Sequence, residues 1–183
     1  MSNATFRFIR INPFLWPDRL QLGPLRLNAT APWHHLPDEQ ATTALGAALA
    51  GKVMRGEAIC LWGPLGSGKS TLARGLIRAL TRPDEDVPSP TFTLVQQYDH
   101  LSPPLWHFDL YRLTDPAEVV ELGWEEAVQD CALVEWPDRL GRLTPPQAIR
   151  LAFVPEGEGR RVEVTAPQHP ELIADARRDW GHR

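Results

Sequence analysis

Residues Gly63-Pro64-Leu65-Gly66-Ser67-Gly68-Lys69-Ser70 fit the pattern GxxxxGK[ST]. They stand between a short apolar run, Ala58 to Trp62, and an amphipathic segment whose Leu72, Ala73, Leu76, Ile77 and Leu80 share one helical face. Strand, glycine-rich turn and helix in that order leave few folds open, because a buried strand feeding directly into a helix is the unit of layered α/β architecture. The turn also carries a chemical implication. Glycines allow successive backbone N–H groups to converge on one concavity, and the new helix aims its positive end at the same point. An anionic phosphate fits there. Gly63, Leu65, Gly66, Ser67, Gly68 and Thr71 would supply the cradle, Lys69 would reach the β and γ phosphates of a nucleotide, and the Ser70 hydroxyl would ligate magnesium. Pro64 has no N–H to offer, but it lies ahead of the stretch that wraps the phosphates.

The rest of the chain supports one mixed domain. Asp38 is placed to cap a helix carrying Ala41, Ala44, Leu45, Ala48 and Leu49, with Gly51 just past its end. Thr91 to Tyr98, Leu105 to Leu110, Cys131 to Val134, Ile149 to Phe153 and Val162 to Val164 read as strands, and Thr114-Asp115-Pro116 as a helix start leading into Val119, Val120 and Leu122. Leu172, Ile173, Ala176 and Trp180 outline a closing helix over 166–183, and residues 1–35 form a proline-punctuated extension in which Leu20 to Leu27 is a candidate strand pair. The expected fold is α/β, a three-layer domain over 36–165 resembling the nucleoside triphosphatases with this loop, with a mixed, mainly parallel central sheet.

Composition narrows the partners. The 183 residues carry a formal net charge of −4, which argues against a dedicated nucleic-acid binder, since phosphate contacts need clustered Lys and Arg. The only lysines are Lys52 and Lys69. Cys60 and Cys131 lie in apolar runs without metal or redox spacing, and no segment has the ~18 apolar residues of a membrane span, so a cytoplasmic protein is expected.

A glycine-rich loop alone does not choose among kinases, GTPases and ATPases. Hydrolysis requires a carboxylate for the metal and a group that orients water, and in open α/β sheets such groups sit at the carboxyl ends of strands. Asp109 closes one predicted strand and Glu135 another. Thr91, in the proline-stiffened Pro88-Ser89-Pro90-Thr91, is a candidate sensor of the γ phosphate. With lysine only at 52 and 69 there is no Asn-Lys-x-Asp guanine motif, and the LSGGQ signature of transporters is also absent. Three readings stay open at this point: an ATPase, a small-molecule or nucleoside kinase using 114–130 as a lid, and a non-catalytic nucleotide sensor.

Several blocks coincide with one family. Leu36-Pro37-Asp38-Glu39-Gln40-Ala41-Thr42, the glycine-rich loop, Ser89-Pro90-Thr91-Phe92-Thr93-Leu94-Val95, His107-Phe108-Asp109-Leu110-Tyr111-Arg112-Leu113 and Val134-Glu135-Trp136-Pro137 resemble, in order over about 36–165, the TsaE (YjeE) ATPases. The resemblance implies ATP and Mg2+ as ligands and a role beside the TsaB and TsaD proteins in making threonylcarbamoyladenosine at position 37 of bacterial tRNAs. It implies Asp109 as the acid on the metal side, Thr91 as a switch residue, and Glu135 as metal ligand or positioner of the attacking water. Trp136, Glu39 and Arg160, the last in a Gly159-Arg160-Arg161 turn, become nucleotide contacts. Transfer RNA would be reached through the partners, and the free chain is expected to be a slowly hydrolysing monomer. Two departures stand out: the family usually has Asp where Pro64 stands, and about 30 residues precede Leu36.

Overall fold

The computed structural model describes residues 33–169. The candidate strands at 20–27 and the candidate helix at 172–180 lie outside them. Seven strands form one sheet in the order β1-β7-β6-β2-β5-β4-β3. These are β1 (Trp33–Leu36), β2 (Glu57–Trp62), β3 (Val95–Tyr98), β4 (Leu105–Asp109), β5 (Cys131–Glu135), β6 (Ile149–Glu156) and β7 (Gly159–Thr165). The central β6, β2, β5 and β4 run parallel, while β1 and β7 on one flank and β3 on the other pair antiparallel to their neighbours. A mixed sheet, parallel through its centre, is therefore present, and its parallel part is where burial on both faces is required.

Strand alternation divides the apolar residues into two layers. Ile59, Leu61, Leu133, Leu151 and Phe153 face α1 (Glu39–Leu49) and α2 (Lys69–Leu80), whereas Ala58, Cys60, Trp62, Ala132, Val134 and Phe108 face α3 (Glu118–Glu121), α4 (Trp124–Ala127) and a 3-10 segment, Pro137–Leu143. Asp38 caps α1, its Oδ1 accepting from the Ala41 N–H at 2.7 Å, a contact of the kind that contributes about 1 kcal/mol.

The two helices of the first layer touch backbone to backbone. A methyl group on Gly46 of α1 would meet the Leu72 carbonyl, and one on Gly75 of α2 would meet the carbonyl of Thr43. Each helix thus presents a glycine to the other's main chain, and neither position has room for a side chain.

Several elements depart from the sequence reading. The strand expected over Thr91 to Tyr98 is confined to Val95–Tyr98, because Pro90 starts a turn closed by the Leu94 N–H donating to the Pro90 carbonyl at 2.6 Å, with Leu94 at φ 65. The helix begun at Thr114-Asp115-Pro116 is one turn long, and Gly123 at φ 87 separates it from α4. Residues Trp33–Leu36, the first three of which fall in the extension before the expected domain, form an edge strand paired with β7. Gly159 to Arg161 is not a turn but the start of β7; the hairpin bend is at Gly157, with φ 60. No helix of the described residues is long and apolar enough to cross a membrane.

Candidate functional site

The strand β2 ends at Trp62, and the chain turns through Gly63 at φ 145, Gly66 at φ 75 and Gly68 at φ 104 before α2 begins at Lys69. Positive φ at these three positions is the conformational freedom that glycine supplies. The turn is pinned by the Ser67 N–H donating to the Pro64 carbonyl at 3.2 Å, so Pro64 serves the loop as an acceptor. No side chain caps the start of α2. Its first N–H groups therefore remain available to an anion, which is the property that the sequence pattern implies.

A cavity of about 390 Å³ opens above this helix end. Leu65, Gly66, Ser67, Gly68, Lys69, Ser70 and Thr71 form its floor, and Glu39, Thr91, Asp109, Glu135, Trp136 and Arg160 its walls. Every candidate residue of the sequence reading thus lines one cavity except Gly63, whose carbonyl lies behind the loop and accepts from Lys69 Nζ at 2.8 Å. The topology explains the convergence. The strands β2, β5 and β4 are parallel neighbours, and Asp109 and Glu135 are register partners at their carboxyl edge, so both acids arrive beside the loop that leaves β2.

Lys69 is 4% exposed, its Nζ donating also to the Pro64 carbonyl at 2.8 Å and lying 4.0 Å from the centroid of the Trp136 ring. Burial lowers its pKa from the ordinary lysine value, and the carboxylates of Glu135 and Asp109 oppose that shift. Trp136 is held at φ 60 and its ring packs at 4.9 Å against Tyr111.

Each carboxylate has a different set of partners. Glu135 Oε2 accepts from the Ser70 hydroxyl at 2.7 Å, and Oε1 lies 3.0 Å from His107 Nε2. Asp109 Oδ2 accepts from Thr91 at 2.6 Å and from Ser89 at 3.2 Å, while Oδ1 accepts from the Tyr111 N–H at 3.1 Å. The oxygen-only set of Ser70, Glu135 and Asp109 suits a hard divalent cation. Among the described residues no cluster of three or more His, Cys, Asp or Glu side chains is arranged as a metal cage, so the rest of such a cation's shell would be left to water or to oxygens of a bound ligand.

Arg160, at the start of β7, lies against Gly68, where a Cβ would strike its guanidinium. Two wall residues were not anticipated. Arg74 reaches back along α2, its Nε donating to the Ser70 carbonyl at 3.2 Å; the i to i+4 spacing from Ser70 was the available signal. Tyr111 follows Asp109 in the turn beyond the sheet edge, where site residues concentrate.

These features agree with comparisons to known proteins. The family model described as "Threonylcarbamoyl adenosine biosynthesis protein TsaE" matches residues 36–162. The tRNA threonylcarbamoyladenosine biosynthesis protein TsaE of Rickettsia conorii is 32% identical over 139 residues, covering 75% of this chain and 79% of that one. The protein of the same name from a Nostoc species is 38% identical over 137 residues, covering 71% and 83%. Among solved structures, Bacillus subtilis YdiB superimposes with a TM-score of 0.64 at 23% identity, over 80% of this chain and 94% of that one, which supports the same fold. Motif order, site geometry and the family match over most of the chain agree, and the chain belongs to the TsaE family of threonylcarbamoyl adenosine biosynthesis proteins.

Proposed function

We propose that the chain binds ATP with Mg2+ and hydrolyses it as a component of the machinery that makes threonylcarbamoyladenosine on tRNA, acting beside TsaB and TsaD. The observation that carries this reading is the meeting of an uncapped helix start, one buried lysine and two strand-end carboxylates in a single cavity.

The residues divide the work. Backbone N–H groups of the loop and of the first turn of α2 receive the phosphates. The Lys69 ammonium exchanges its two carbonyl partners for phosphate oxygens, a change favoured by charge. Ser70 and Asp109 offer oxygen ligands, and Glu135 is either a third ligand or the base that holds the attacking water in line with the γ phosphate. A magnesium ion held by these oxygens would supply positive charge to offset that of the phosphates. Thr91 now donates to Asp109 and lies in the cavity wall, from which a γ phosphate can draw it away. The region 114–130, the candidate lid of a kinase, contributes no residue to the cavity; Val119, Trp124 and Ala127 instead pack under the opposite face of the sheet. That placement favours attack by water over transfer to a metabolite.

The test is phosphate release from ATP and from GTP by the chain alone and with TsaB and TsaD added. The expected result is slow release with ATP, stimulated by the partners and absent in Lys69→Ala. No stimulation, or a preference for GTP, overturns the proposal.

A further inference from the structure

The side chain of His107 is 1% exposed and plays no part in the chemistry above, yet its Nε2 lies 3.0 Å from Oε1 of the equally buried Glu135. His107 stands on β4 opposite Leu133 of β5, two residues before Glu135, so both side chains project from the same face of neighbouring parallel strands. With Glu135 as a carboxylate, which can only accept, this contact requires the tautomer whose proton is on Nε2, and the imidazole donates. The second oxygen of Glu135 accepts from Ser70. The carboxylate is therefore held at both ends, by the sheet behind it and by the helix start before it.

The geometry points to His107 as a positioning residue that fixes the plane of the Glu135 carboxylate, so that Oε2 is aimed at the Ser70 hydroxyl and at whatever that hydroxyl ligates. Without the imidazole, Oε1 is a buried acceptor lacking its partner. The plane of the carboxylate is then held only through the Ser70 hydroxyl at its other oxygen. This inference rests on the proposed role of Glu135 in the metal and water site.

The test uses two amides of different reach. The side-chain nitrogen of His107→Gln extends to about the position of imidazole Nε2; that of His107→Asn stops short of it. Binding of a non-hydrolysable ATP analogue is followed by calorimetry, first with chelator and then across a magnesium titration, and phosphate release is measured alongside. Both variants are expected to bind the analogue in chelator as wild type does, which also shows that they are folded. His107→Asn should need about tenfold more magnesium to tighten binding and should lose roughly 10- to 100-fold in kcat with little change in KM, the range typical of groups that orient metal ligands. His107→Gln should recover most of both. In a Glu135→Ala background, His107→Asn should add no further loss.

Equal behaviour of Asn and Gln, or independent losses in the double variant, overturns the assignment to His107 alone. If wild type itself shows no magnesium-dependent tightening, the functional reading falls and this inference with it.

Discussion

Asp109 and Glu135 occupy matching positions on adjacent strands, yet they are held by different kinds of structure. Glu135 is gripped by His107 from the sheet and by Ser70 from the first turn of α2, both parts of the packed framework. The partners of Asp109 are the hydroxyls of Ser89 and Thr91 and the N–H of Tyr111, all from segments outside regular structure. The contrast separates a fixed carboxylate from one whose surroundings can be rearranged. Two hydroxyls that can be drawn to a phosphate are suited to reporting what occupies the cavity; an imidazole locked in a sheet is suited to keeping a geometry constant.

The largest effect is expected from Lys69→Ala, which removes the charge both acids share and should lower phosphate release at least roughly 10³-fold while weakening nucleotide binding measured by calorimetry. Glu135→Ala should lower turnover by about 10²-fold or more with nucleotide affinity in chelator unchanged. Thr91→Val should cost only about tenfold, and should raise hydrogen exchange across 88–94 while leaving β4 and β5 protected. A larger loss for Thr91→Val than for Glu135→Ala would invert the comparison.

Stability draws the same line between framework and site. Gly46→Val places a branched side chain against the Leu72 carbonyl and should lower unfolding free energy by about 1–3 kcal/mol in denaturant titrations. The smallest effect concerns Asp138, whose Oδ1 accepts from the Trp62 indole at 2.9 Å and whose pKa burial raises above the ordinary 3.8. A carboxyl that holds its proton more tightly when folded makes stability fall as pH rises from the unfolded value through the folded one. Asp138→Asn keeps an acceptor for the indole, so it should melt slightly above wild type at pH 7, with the difference vanishing below pH 3.8. A wild-type advantage at pH 7 would show that the charge is useful rather than tolerated.

Much of this arrangement was legible because local signals and tertiary structure agree. The spacing of Leu45 and Leu49 marks α1, the run Ala58 to Trp62 marks β2, and an acid ending each of two apolar runs places Asp109 and Glu135 at the sheet edge. What was missed depends on distant partners. Trp33–Leu36 has no readable alternation and becomes a strand only by pairing with residues more than a hundred positions away. His107 sits in a short apolar run where a histidine reads as filler, and its partner is 28 residues further on. The shortened β3 reflects Pro90 and the positive φ of Leu94, a turn that β-branched composition conceals.

The glycine-to-main-chain contacts between α1 and α2 have a mechanical result. Where Gly46 and Gly75 meet the facing main chain no side chain separates the two backbones, so a shift of α2, which starts at Lys69, is expected to carry α1, which starts at Glu39, along with it. A pull on the glycine-rich turn would thereby reach α1 as well, whose Glu39 lines the same cavity.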